Sequence, residues 1–207
     1  MSDFVIEEKD GEKILEKYEG TATEVVIPNG ISRIGIGAFS KCKFLKSVKI
    51  PSSVTIIDDC AFSMCSFLTS VEIPSSVTRI GDFAFDDCGS LTSLVIPNSV
   101  KELGAGVVSL CENLTSLVIP SSVTEIGLGA FSFCKSLTSL VIPSGIIEIY
   151  ESTFEGCENL ASLVIPSSVT MIDSSAFIKC KNVVLKVESG SYAENYAKEN
   201  GIEYETF

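Results

Sequence analysis

The sequence contains no histidine and no tryptophan, and its 15 basic residues are outnumbered by 27 acidic ones. The missing histidine removes the commonest general base and the commonest metal ligand, so most hydrolase and zinc-site chemistry falls away before any motif is sought. The shortage of positive charge argues against nucleic acid as a partner, because phosphate binding needs a cationic footprint that a net charge of −12 does not supply. An anionic membrane surface is disfavoured for the same reason. Long apolar runs are missing too: the longest uncharged stretch, Asn159 to Ile172, has 14 residues and contains Pro166, whereas a spanning helix needs about 20 apolar residues. The first 20 residues carry acids throughout and lack a basic start followed by an apolar run, so they do not read as a signal peptide. No membrane insertion, no cofactor and no metal are expected.

What the chain does have is one period. All seven prolines, Pro28, Pro51, Pro74, Pro97, Pro120, Pro143 and Pro166, stand 23 residues apart. Seven of the eight cysteines keep the same spacing, at Cys42, Cys65, Cys88, Cys111, Cys134, Cys157 and Cys180. So do Phe39, Phe62, Phe85, Phe131, Phe154 and Phe177, with Val108 in the one odd place. Each unit reads close to LTSLVIPSSVTEIGxxAFxxCxx. A unit of that length cannot close a core alone, but stacked copies bury one another's apolar positions in continuous columns, which predicts a solenoid.

Within a unit, Leu114, Leu117 and Ile119 point one way and Ser116, Val118 and Pro120 the other, the period of a short strand of about six residues. Stacking makes these strands a parallel sheet. The proline cannot donate a ladder hydrogen bond and ends the strand. Val123 and Ile126 return to the core, and the AFxxC segment is short enough for a single turn or a 3₁₀ piece only.

The pattern LxxLxLPxSLxxIxxxAFxxC over residues 22 to 182 resembles the BspA-like class of leucine-rich repeats, including Ser53, Ser76, Ser99, Ser122 and Ser168 where commoner repeats carry Asn. The resemblance implies a curved right-handed solenoid, β-rich, with short parallel strands on the concave face and turns or 3₁₀ pieces on the convex side. It also implies a surface or secreted binding module of a host-associated bacterium, of adhesin type. The expected organisation is one structural domain: residues 1–21 an N-terminal hairpin cap around Asp10-Gly11, 22–182 seven repeats, and 183–207 a C-terminal cap of helix plus strand. In that cap, Ser191 and Glu194 form a capping box, Tyr192, Ala193, Tyr196 and Ala197 a helical face, and Gly201 a stop.

Candidate sites follow from what the columns leave outside. The cysteine column reads as small apolar filler rather than disulfides or a metal set, since no CxxC pair or histidine accompanies it. Cys60, outside the column, is the thiol expected to react first. Asp58-Asp59 and Asp86-Asp87 read as a solvated convex face rather than a calcium loop. Residues 1–24 hold eight acids and three lysines, while residues 25–50 hold Arg33, Lys41, Lys43, Lys46 and Lys49 and no acid. The simple expectation is that the acidic cap docks on the basic first repeat.

The strongest binding candidate is the outward strand face: Thr92, Ser93, Val95, Thr115, Ser116, Val118, Thr138, Ser139, Val141, Ser162 and Val164, with Lys46 and Lys49 as an anionic contact point at one end. A sheet without charge over four strands is unusual on a soluble protein, where contiguous apolar patches mark interaction sites. The serines have no base to activate them, so an enzyme is not expected. The function expected is non-catalytic binding of a protein or glycan on the concave sheet by a monomer. The alternative is a structural or self-associating scaffold whose same face pairs weakly with another copy.

Overall fold

A computed structural model describes residues 3–207 as a solenoid with two ladders of parallel strands and one helix. The first ladder is built from Glu24–Val26, Ser47–Lys49, Ser70–Glu72, Ser93–Val95, Ser116–Val118, Ser139–Val141, Ser162–Ile165 and Val184–Val187, with Glu203–Thr206 as its last edge. Pairing is in register at 23 residues, as in Ser93 opposite Ser116 and Val95 opposite Val118. The final repeat slips to 22, placing Val184 opposite Ser162. Most of these strands pair over three residues, half the expected length, because the leucine that starts each unit is still held by the preceding turn: Leu114 N–H donates to Cys111 C=O.

The second ladder was not anticipated. Two-residue strands Arg33–Ile34, Ile56–Ile57, Arg79–Ile80, Glu102–Leu103 and Glu125–Ile126 stack behind the prolines, followed by the paired Glu148–Ile149 and Met171–Ile172. Between the two, each serine after the proline donates its hydroxyl to a carbonyl of the preceding unit, Ser76 to Val54 at 2.6 Å and Ser122 to Val100 at 2.8 Å. This is the work the serine does where other repeats carry Asn.

The AFxxC arch accounts for its backbone in alternation. Even-numbered amides of the first unit close local turns, Ser40 N–H to Gly37 C=O and Cys42 N–H to Phe39 C=O. Odd-numbered ones reach the next unit, Gly37 to Asp59, Phe39 to Ala61 and Lys41 to Ser63. To aim them outward, the chain turns left-handed twice in each of the first six arches and once, at Lys179, in the seventh. Positive φ occurs at Gly37 and Lys41, Cys60 and Met64, Phe83 and Asp87, Gly106 and Leu110, and Gly129 and Phe133. Most of these residues are not glycine, so packing between units overrides the local preference.

The core is a set of columns. Phe39, Phe62, Phe85, Phe131 and Phe154 are fully buried, and neighbouring rings sit 5.0–5.6 Å apart. Val108 interrupts the stack, and Val107 beside it is a larger buried residue where other units carry Ala38, Ala61, Ala84 and Ala130. Leu110, close by in the chain, is exposed. At the two ends the stack continues into tyrosines of the terminal segments, Tyr18 on Phe39 and Tyr196 on Phe177.

The hairpin Phe4–Lys9 and Glu12–Tyr18 turns at Asp10-Gly11, both at positive φ, and extends the second ladder through Ile14 opposite Arg33. The helix Tyr192–Asn200 starts at Ser191, whose hydroxyl accepts from Glu194 N–H, while Glu194 reaches back to Gly190 N–H rather than to the cap residue itself. Left-handed Gly201 ends it. Its buried face holds Ala193, Tyr196 and Ala197, but Tyr192 is exposed.

Candidate functional site

The first ladder presents its outward residues as the sequence pattern requires, because alternate strand residues face opposite sides. Leu94, Leu117, Leu140 and Leu163 go into the core. Thr92, Ser93, Val95, Thr115, Ser116, Val118, Thr138, Ser139 and Val141 are exposed. Ser162 and Val164 are half-buried, since the next strand sets Val184 and Lys186 beside them. The threonine hydroxyls are partly committed: Thr115 donates to Thr92 C=O at 3.1 Å and Thr69 to Lys46 C=O at 3.0 Å. The central valines are the most prominent feature, Val95 and Val141 each more than 60% exposed.

The uncharged field has definite ends. Glu72 precedes it and Lys186 follows it. Lys46 and Lys49 therefore stand apart from the valines, separated by the Ser70–Glu72 strand, with Lys49 directly opposite Glu72. At this boundary, ladder hydrogen bonding is interrupted between Ser70–Glu72 and Ser93–Val95, and a cleft of about 730 Å³ opens. Ser93 and Val95 line it together with Val71, Glu72, Ile73 and Asn98, which sequence reasoning passed over. The available signal was the outward column itself, which changes from Lys49 through Glu72 to Val95.

A second groove of about 410 Å³ lies on the other ladder. Its floor is Gly81, Gly104 and Gly127, where any Cβ would strike the backbone of the preceding unit, and its walls include Arg79, Glu102, Glu125, Leu128 and Tyr150. Glu148 beside Tyr150 pushes its phenol up. Tyr150 occupies the unit position of those glycines, a break in the column that could have marked it.

Several expected sites come out differently. Asp58 is not on a solvated face: its carboxylate is buried, taking both Arg33 Nε and Arg33 Nη2, the latter at 2.7 Å, with Arg79 Nη1 at 3.3 Å. Asp59 and Asp82 accept backbone N–H groups of the next unit, Asp82 N–H at 3.0 Å and Ala105 N–H at 2.9 Å. Asp86 takes the hydroxyls of Ser63 and Ser109. These acids repair backbone and hydroxyl groups between units.

The column cysteines are free thiols and more than filler. From Cys65 to Cys180, each Sγ of the column donates to the carbonyl of the phenylalanine position one unit earlier, as Cys65 does to Phe39 at 3.0 Å and Cys134 to Val108 at 3.2 Å. Burial pushes the Cys88 and Cys134 thiols up to about 12. Cys60 is half-buried, and desolvation plus Asp59, Asp86 and Asp82 raise its thiol, which works against the reactivity expected of it. Cys42 and Cys180, at the column ends, are half-buried, and the neighbouring thiols of Cys65 and Cys157 lower theirs.

Among the described residues, no group of histidine, cysteine or carboxylate side chains could hold a metal ion, and no helix is long and apolar enough to cross a membrane.

The sequence matches the BspA type leucine rich repeat region as six copies, over residues 16–126 and 64–184. None of the curated proteins matches it. Among solved structures it is similar to a leucine-rich repeat protein of T. pallidum, at 29% identity and TM-score 0.84, covering 98% of this chain and 95% of that one. A leucine-rich repeat protein from Eubacterium ventriosum is 34% identical with TM-score 0.73, over 80% of this chain and 45% of that one. One from Bacteroides ovatus, 23% identical with TM-score 0.67, shares the fold over 93% of this chain and 61% of that one.

Proposed function

Since the chain belongs to the BspA-type leucine-rich repeat family, we propose that it is a non-catalytic binding module that takes a protein or glycan surface on its concave Ser-Thr-Val sheet. The observation that carries this reading is the uncharged field from Ser93 to Val164, exposed as far as Val141 and half-buried beyond, bounded by Glu72 and Lys186 and opening into the cleft beside Val95. Exposed valines on adjacent strands supply apolar contact, and the exposed serines beside them offer hydroxyls that donate and accept. Such a surface suits a partner that is flat and weakly charged. Surface display of adhesin type belongs to the same proposal and rests on the family alone.

The test is the double substitution Val118→Glu and Val141→Glu, assayed by capture from extracellular host material and from the producing cell's lysate. Two carboxylates desolvated against an apolar contact abolish capture of any partner the unaltered protein takes, while folding is nearly unaffected because neither side chain enters the core. Lys135, which pairs with Glu112 at 2.7 Å away from the sheet, is the control. Normal capture by the double variant together with weakened capture by a Lys135 variant would move the site to the turn side.

A further inference from the structure

The charge segregation of the first two turns is met internally at Arg33 alone of its basic residues, which pairs with Asp58 and feels Glu12 of the hairpin. Among the described residues, none of Lys41, Lys43, Lys46 and Lys49 makes an ion pair, and the only ion pair within the hairpin and the segment after it is Lys17 with Glu19. The reason is topological. The hairpin extends the second ladder through Arg33–Ile34, whereas the Lys41-Lys43 loop leads into Ser47–Lys49 of the first, at the other end of the arch.

Each charged patch also carries exposed apolar side chains. Phe44 is 62% exposed beside Lys43, and Phe67, in the same column one unit on, is 57% exposed. On the hairpin, Val5 and Ile6 are 44% and 43% exposed beside Glu7 and Glu8. One end of a single solenoid thus displays a basic apolar patch whose lysines make no ion pair and, on the hairpin, exposed Glu7 and Glu8 beside exposed Val5 and Ile6, with Lys13 across the strand from Glu8. That is the composition of two halves of one interface.

We propose that a second copy of this chain covers both, in a two-fold dimer of N-terminal ends: the hairpin of each protomer lies on the Lys41–Phe44 loop of the other. A two-fold contact is self-complementary, so the acid-on-base contact occurs twice for one association. Charge complementarity selects this arrangement over the alternatives. An anionic membrane would meet the acids of the hairpin as well as the lysines, whereas two chains can interleave them. The net charge of −12 opposes association, but much of it sits in repeats far from this end, beyond a screening length of about 8 Å at physiological salt. The arrangement uses a different surface from the Ser-Thr-Val sheet and does not depend on it.

Sedimentation equilibrium of the full chain over a wide concentration range tests it, with three proteins. The unaltered chain passes from one-chain to two-chain mass as concentration rises. Lys41→Glu with Lys43→Glu stays monomeric, and so does Glu7→Lys with Glu8→Lys, all four positions being exposed and outside the core. An equimolar mixture of the two variants regains the two-chain mass, because acidic loop then meets basic hairpin while acidic hairpin meets acidic loop no longer. Circular dichroism and melting of each variant confirm that the fold is kept. A chain that stays monomeric throughout, variants that still dimerise, or a mixture that fails to recover each overturn the proposal. So does binding of the unaltered monomer to anionic vesicles without self-association.

Discussion

The ring of Phe83 lies over the α-carbon of Gly106, its equivalent one unit on, so that a Cβ at Gly106 would run into Cδ1 and Cε1 of that ring. Both residues are left-handed, at φ 54°. The same relation recurs one column away, where a Cβ on Gly156 would come within 2.6 Å of Phe133. At both phenylalanines of these turns, Phe83 and Phe133, the following unit supplies the glycine that makes room for the ring.

Gly106→Ala should lower stability by about 1–2 kcal/mol, part from the left-handed backbone and part from displacing the ring. In a Phe83→Ala background the ring contribution disappears and only the backbone cost is left. Thermal melting of the two single variants and the double variant measures the difference. Equal costs in both backgrounds would show that the ring swings aside freely.

The core makes a paired prediction at Val107 and Val108. Val108→Phe alone should cost about 1–3 kcal/mol by overpacking, since Val107 already occupies the space beside the ring column. Adding Val107→Ala restores the Ala-Phe pair of the other units and should recover that loss. For comparison, Phe131→Ala should cost about 3–5 kcal/mol. A strong gain from Val108→Phe alone, read as a higher urea midpoint, would mean that the gap is empty.

Alkaline pH should unfold the protein through its thiol column. In the folded chain Cys88 and Cys134 are pushed up to about 12 from an ordinary value of 9.0, and burial raises Cys111 as well. Above 9 the unfolded chain loses these protons and the folded chain keeps them, so the stability they contribute is fully present below about 9 and lost as pH climbs toward about 12. Each thiol contributes a slope of about 1.4 kcal/mol per pH unit. Urea midpoints under reducing conditions read the slope, and Cys134→Ala should lessen it by one proton. A flat profile across that window would mean that the column is not buried as thiols.

Thiol labelling separates the two kinds of cysteine. Native protein should be alkylated first at Cys42 and Cys180, which are half-buried with thiols lowered by their neighbours, and more slowly at Cys60, whose thiol burial and the surrounding acids hold up. Cys65, Cys88, Cys111, Cys134 and Cys157 should react only on denaturation. Mass spectrometry of a time course gives the order, and early labelling of Cys111 would contradict the burial.

The sequence by itself determined the period, the apolar columns, the proline that ends each strand, the hairpin at Asp10-Gly11 and the helix stop at Gly201. These follow from local rules or from exact repetition, both visible along the chain. It also determined that Val95, Val118 and Val141 face outward, because strand alternation leaves no other choice once Leu94, Leu117 and Leu140 are inside. The tertiary structure alone decided the burial of Asp58 under Arg33, the thiol and serine bonds to carbonyls of the preceding unit, the left-handed turns at Phe83 and Met64, and the cleft between Glu72 and Ser93. Each depends on which backbone or side-chain group the neighbouring unit leaves unpaired at that point. That is a relation across about one whole repeat, and neither residue propensity nor charge pattern within a unit encodes it.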